Sequence, residues 1–176
     1  MELTIRTHPD PVLRRPAEPP ARIDGELREL ADAMVATLVK RVGYGLAAPQ
    51  VGVATRLIVV DVEDDFHVLA NPEVVATGGE IVTFAEGCLS IPGVEAEVDR
   101  PDRAVVEGWT MEGETTRVEA EGLLARVLQH EVDHLNGVLF IDHLSRVKRR
   151  QILKEYEKIQ NEEGPSPSNR SSTVTA

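Results

Sequence analysis

The stretch Gln129-His130-Glu131-Val132-Asp133-His134 limits the fold of this chain more than any other. It sets two imidazoles four residues apart, with a carboxylate directly after the first. Residues i and i+4 of a helix lie on one face, a single turn apart, so a helix here lets both rings bind one metal ion. Glu131 is rotated off that line by one residue, near the open side of such a metal but not obliged to be a ligand. Two neutral nitrogen donors with a base beside a bound water are what a hydrolytic metal site needs. The same string also occurs as a solvated helix face that happens to carry two histidines, so context decides. The metal reading needs a third ligand from elsewhere in the chain.

A chain of 176 residues can bury a real core, and by length it forms one domain. With one Trp, two Tyr and three Phe, that core must be mostly Val, Leu, Ile and Ala. The net charge of −11 argues against a nucleic-acid-binding surface over the whole molecule. No apolar run is long enough to span a bilayer, and Met1-Glu2-Leu3-Thr4-Ile5-Arg6 does not read as a signal peptide. Cys88 is the only cysteine, which excludes an internal disulfide. The expected location is the cytoplasm.

Prolines 9, 11, 16, 19 and 20 predict an extended or turning arm over residues 1–20. Asp24 caps a helix predicted over 25–42, with Leu27, Leu30, Ala31, Met34, Leu38 and Val42 at helical spacing and Gly43 as its stop. A Gly/Ala-rich turn over 43–52 leads to a strand around Arg56–Asp61. Short β-branched runs predict further strands at His67–Asn71, Val74–Ala76, Glu80–Ala85, Val94–Asp99, Arg103–Thr110 and Thr115–Glu121. The histidine helix should occupy about 122–136 and stop at Asn136-Gly137, and a last helix should run from Ser145 to about Asn161. The expected fold is α+β: mixed or antiparallel sheets around a central metal-binding helix, with an N-terminal and a C-terminal helix. Residues 1–163 form the catalytic domain in this reading, and 164–176 a disordered polar tail.

A lone cysteine is ordinarily a small buried hydrophobe. Cys88, however, stands in Glu86-Gly87-Cys88-Leu89-Ser90-Ile91-Pro92, a tightly shaped turn after a strand, and a two-histidine site lacks a third ligand that a thiolate can supply. A second glycine-rich stretch runs from Gly43 to Gly52 and lacks both the Lys and the spacing of a phosphate loop. Its small residues point to backbone brought close to a ligand or to the central helix. Gln50 beside it is a neutral donor of the kind a developing oxyanion requires. Taken alone, that stretch reads as a packed turn rather than a binding site.

GYGLAAPQ, EGCLS and QHEVDHLNG, in this order, resemble the three signature motifs of peptide deformylases. That family removes the N-formyl group from the initiator methionine of newly synthesised proteins, and the resemblance runs from His8-Pro9-Asp10-Pro11 to the last helix. It implies Cys88, His130 and His134 as metal ligands, with a water in the fourth place, and Glu131 as general base and acid. It implies Gln50 and the backbone N–H of Leu89 as donors to the formyl oxygen, and Gly45 as the glycine that meets the substrate backbone. The methionine pocket would involve Tyr44, Leu123 and Val127. The resemblance also implies Fe2+ as the native ion, although a Cys/His/His set equally suits Zn2+, Ni2+ or Co2+. It implies Arg100 as the partner of Asp133. Tyr44 replaces an often aliphatic residue, Arg126 stands where some members are apolar, and Glu95 where some are basic; all three bear on peptide preference.

Arg146, Lys148, Arg149, Arg150, Lys154 and Lys158 make the last helix basic. Two readings fit it: a solvated face with Lys/Glu pairs, or a surface that docks on the ribosome, as some deformylases do. Two rival functions exist for the chain as a whole. A zincin-type protease would take its third ligand downstream, where Asp142 and His143 stand too near the motif. A structural metal site would need a fourth protein ligand, and no second cysteine is present.

Overall fold

The computed structural model describes residues 1–163 and 174–175, and the α+β expectation holds in it. Five strands pair antiparallel in chain order: β1 (Gly45–Ala47), β2 (Leu57–Val62), β3 (Asp65–Cys88), β4 (Ile91–Trp109) and β5 (Thr115–Glu121). A two-residue strand, β6 (Val174–Thr175), lies parallel to the end of β3, opposite Glu86 and Gly87. The predicted disordered tail, 164–176, otherwise falls outside the described residues. Three helices complete the fold: α1 (Gly25–Arg41), α2 (Gly122–Leu135) and α3 (Arg146–Glu163).

Helix α2 is the centre of the molecule. From Ala125 to Leu135 every residue but Asp133 is buried, as expected for a helix enclosed on most sides. Val127, Leu128, Val132 and Leu135 meet Ile58, Val60, Val106 and Val118 of the sheet in one cluster. A second cluster joins Cys88, Ile91 and Val98 to Phe140 and to Ile152 and Tyr156 of α3. A third sets Met34 and Leu38 of α1 against Leu46, Leu57 and Val59. These aliphatic clusters are the core that an aromatic-poor sequence requires.

The strands predicted between His67 and Ala85 are one continuous strand, β3, and those predicted at 94–99 and 103–110 merge into β4, which ends at Trp109. Register shifts between β3 and β4 at Ala70/Glu73, Val74/Ala76, Gly78/Ile81 and Glu86/Cys88 explain the difference. At the first three shifts β3 carries one extra residue and at the last β4 carries three; each resets the alternation that sequence patterning follows, while the ladder continues. Helix α1 is capped by Asp24, whose carboxylate accepts the Leu27 N–H at 3.0 Å. Its end differs from expectation: Val42, not Gly43, takes the left-handed conformation, at φ 57°.

Helix α2 ends as predicted, with Asn136 as cap and Gly137 at φ 74°. Only glycine fits there, because an added Cβ would stand 2.6 Å from the carbonyl oxygen of Arg14 in the N-terminal arm. No helix among the described residues is long and apolar enough to cross a membrane.

Candidate metal centre

Cys88 is the last residue of β3, and Leu89-Ser90 form a two-residue turn before Cys88 pairs with Ile91. The hairpin tip carries the thiol onto α2. The ligand-capable atoms of Cys88, His130 and His134 all lie within 4.8 Å of one another, and all three residues are buried. The two histidine Nε2 atoms are 3.2 Å apart, and the Cys88 Sγ is 3.4 Å from the His134 Nε2. A tetrahedral ion with ordinary zinc bond lengths requires about 3.3 Å between nitrogens and about 3.6 Å between nitrogen and sulfur. The two edges that meet at His134 are therefore close to those of such a site, and the third, from Cys88 to His130, is within 4.8 Å.

The charge states agree with that use. Burial, with the nearby charges of His130, Arg100 and Arg14, holds the His134 pKa well below its ordinary value, so the ring is a neutral donor. Burial also pushes the Cys88 thiol far up; the Ser90 N–H opposes this, and the Glu131 charge adds to it. Without a cation the sulfur keeps its proton, and coordination is the ordinary way to remove a proton from so buried a thiol.

Glu131 is fully buried, and neither carboxylate oxygen has a hydrogen-bond partner among the described residues. Burial raises its pKa well above the usual carboxylate range; Arg100 pulls it down, and Glu86 and Asp133 push it up. An acid left without partners in a protein interior is costly, and such groups cluster at functional sites. Gly45 makes the arrangement sterically feasible, since a Cβ there would sit 2.6 Å from the Glu131 Oε1. The glycine-rich stretch thus approaches the central helix closely, one of the two alternatives its sequence allows.

Gln50 is buried in the short 3-10 turn Ala48–Val51. Its Oε1 accepts the Ala47 N–H at 2.9 Å, which aims its Nε2 at Ser90 Oγ, 3.2 Å away, and Cys88 Sγ, 3.6 Å away. Leu89, also buried, follows the thiol directly. Tyr44, Leu123 and Val127 meet in the same apolar cluster. Leu123 also lines a cavity of about 250 Å³ with Val82, Phe84, Pro101, Gly122 and Arg126, whereas Tyr44 and Val127 do not. His143 is bound to the Asp133 carboxylate at 2.8 Å and lies outside the Cys88/His130/His134 group. Glu95 is exposed on the outer side of β4.

Behind the histidines lies a buried polar network that sequence reading grasped only in part. The pairing of Arg100 with Asp133 is present at 3.0 Å. Its hub is Glu86, to which the sequence alone assigns no role. Glu86 accepts two bonds from Arg100 (2.7 and 3.0 Å), one from Arg126 (2.6 Å), and contacts the His130 Nδ1 at 2.9 Å. Burial alone would raise the Glu86 pKa, but the bonds from His130 and Arg100 outweigh it and hold the carboxylate far below its usual range. An ionised Glu86 makes His130 Nδ1 the protonated nitrogen and leaves Nε2 free for a metal. One signal was available: in Val94-Glu95-Ala96-Glu97-Val98-Asp99-Arg100, burial alternates strictly, and Arg100 falls on the inward side. An inward arginine demands a carboxylate.

Comparisons with known proteins agree with this geometry. The family model described as Polypeptide deformylase matches residues 2–150. The peptide deformylase of Mesorhizobium japonicum is 46% identical over 162 residues, covering 89% of this chain and 92% of that protein. That of Rhizobium meliloti is 49% identical over 155 residues, covering 85% and 89%. Among solved structures, a Synechococcus elongatus peptide deformylase in complex with actinonin superposes with a TM-score of 0.84 at 45% identity, covering 88% of this chain and 86% of that one. The Legionella pneumophila peptide deformylase gives 0.88 at 38% identity, over 95% and 100%. Neither the protease nor the structural-site alternative accounts for a match of this length together with a lone cysteine beside two helical histidines. The chain belongs to the polypeptide deformylase family.

Proposed function

We propose that this protein is a metal-dependent hydrolase that removes the formyl group from the N-terminal methionine of newly synthesised proteins. The observation that carries the reading is a compact, buried Cys/His/His cluster beside a buried carboxylate without partners among the described residues. Cys88, His130 and His134 hold one divalent ion; Fe2+ is the proposed native metal, and Zn2+, Ni2+ and Co2+ suit the same donors. When bound, the ion polarises a carbonyl and makes water more acidic.

Glu131 is the proton carrier. Its raised pKa suits a group that takes a proton from water and returns it to the leaving amine, without which C–N cleavage stalls. Gln50 Nε2, held by the Ala47 N–H, and the Leu89 N–H donate to the formyl oxygen as it gains negative charge. Gly45 presents its backbone to the substrate peptide, and Tyr44, Leu123 and Val127 enclose the methionine side chain. Exclusion of acetyl groups would be steric, by the methyl beyond the carbonyl.

Residues 1–163 act as one catalytic domain in the cytoplasm. The Tyr156 hydroxyl of α3 donates to the His8 carbonyl at 2.9 Å, tying the two ends of that unit together. The basic face of α3, with Arg146, Arg149, Arg150 and Lys154 around one surface depression, offers an anionic partner such as the ribosome a docking site. Deleting α3 would remove the buried Ile152 and Tyr156, so charge reversal at Arg150 and Lys154 is the cleaner test. Ribosome co-sedimentation that salt and the reversal leave unchanged would reject docking.

The central experiment offers air-free, metal-loaded protein a formyl-methionyl, an acetyl-methionyl and an unblocked peptide, alongside Glu131→Ala and Cys88→Ala. Deformylation confined to the first peptide, and lost in both variants, is expected. Internal peptide cleavage, equal rates on the acetylated peptide, or full activity in either variant overturns the proposal.

A further inference from the structure

Arg126 is expected to influence peptide preference, and it does line one wall of the cavity beside Leu123. Its guanidinium, however, points into the protein. Nη1 donates to Glu86 Oε2 at 2.6 Å and to the Val98 carbonyl at 2.9 Å, and Nη2 donates to the Val82 carbonyl at 2.6 Å. The side chain is only 7% exposed. A guanidinium buried this far is tolerated only where its donors are matched, and here one side chain grips α2, β3 and β4 at once.

Those three elements are the ones whose relative placement sets the metal site. Arg126 and His130 are four residues apart on α2, so both reach Glu86 from one helix face. Glu86 is in turn two residues before Cys88 on β3. A shift of Glu86 therefore acts on His130 through the Nδ1 contact and on Cys88 through the chain. Val82 and Val98 carry the grip to both strands of the hairpin whose tip presents the thiol, since Phe84 pairs with Val98 and Val82 with Arg100.

We infer that Arg126 is a positioning residue for the metal site: it clamps the cysteine hairpin to the histidine helix and holds Glu86 against His130. The inference rests on Cys88, His130 and His134 being the ligands. It assigns Arg126 a function that Arg100 alone does not cover, because among the described residues Arg100 bonds Glu86 and Asp133 but no strand carbonyl.

The test uses full-length protein loaded with Co2+ without air, monitored by the thiolate-to-cobalt absorption band and by the rate of cobalt loss to a chelator. Arg126→Met keeps the bulk and removes every donor; Arg126→Lys keeps the charge but cannot reach three acceptors together. Loss of supporting contacts to ligating histidines costs roughly 10- to 100-fold in metal affinity, so cobalt should leave both variants faster by that order. The absorption band should shift, and millimolar guanidinium should partly slow the loss from an Arg126→Ala protein. Met34→Ala, in the α1 cluster, is the control for general loosening. Cobalt retention within twofold of wild type in Arg126→Met, or equal acceleration in Met34→Ala, overturns the inference. Wild-type protein that binds cobalt with no thiolate band overturns the ligand assignment itself, and this inference with it.

Discussion

Glu131 combines full burial, a raised pKa and the lack of any hydrogen-bond partner among the described residues, and this has opposite consequences for stability and activity. As the proposed proton carrier, its replacement by Gln should lower deformylation by about 10²- to 10⁴-fold, the usual share of general acid–base catalysis. Cobalt binding should persist, and the melting temperature should change little, because the amide is isosteric with the buried acid and carries no charge. Activity within tenfold of wild type would exclude the role. Gly45→Ala tests the same contact from the other side. The new methyl would overlap the Glu131 carboxylate, and the acid would have to move. At least a tenfold fall in kcat/KM is expected, measured against a fluorescent formyl-methionyl peptide. Cys88, His130, His134 and Glu131 were legible from residue type and spacing, because a metal demands particular donors. The close approach of Gly45 to Glu131 was not, since a contact across 86 residues leaves no local pattern.

Among the secondary-structure elements, helix ends and bulges separate local from tertiary control. Asp24 was readable as a cap because its bond to Leu27 spans three residues; Asp24→Ala should destabilise the protein by about 1 kcal/mol in urea denaturation. Gly43 looked like the stop of α1, yet Val42 takes the left-handed turn, its N–H bonded to the carbonyls of Leu38 and Val39. A β-branched residue is strained at φ 57°, and Val42 is 40% exposed, so little packing is lost by removing it. Val42→Gly should therefore be neutral to stabilising, by up to about 1 kcal/mol. A loss of more than that would show that the valine contributes packing its exposure does not reveal. Bulges hid the continuity of β3 in the same way. The alternation of apolar residues restarts at each one, although the hydrogen-bonded ladder does not stop.

For the whole molecule, the candidate site is a cross-link between β3 and α2, so metal should contribute to folding as well as to chemistry. A ligand that binds only the folded chain stabilises it in proportion to the logarithm of its concentration over Kd. Chelation should lower the melting temperature of metal-loaded protein by several degrees in calorimetry, and Cys88→Ala should abolish that difference. Acid should act at a second place as well. Burial raises the Asp142 pKa, but the Arg14 bond, the Leu139 N–H and the Arg14 and Arg149 charges outweigh it and hold it below 3.8. The contribution of a depressed carboxylate is complete above its ordinary pKa and is lost as pH falls through the folded one. Asp142→Asn should therefore weaken the protein at pH 6 and make its urea midpoint less pH-dependent below about pH 4. Equal slopes for both proteins would remove Asp142 from the acid response. The sequence by itself determined the helix that carries two histidines, the cap of α1, the aliphatic core and the candidacy of Cys88 as a third donor. Those features depend on residue chemistry and on spacings of two to four positions. Only the tertiary structure decided that Glu86 joins Arg100, Arg126 and His130, that Gly45 makes room for Glu131, and that the cysteine hairpin meets the helix at metal-binding distance. Each of these joins residues 14 or more positions apart, where packing, not local spacing, sets the distance.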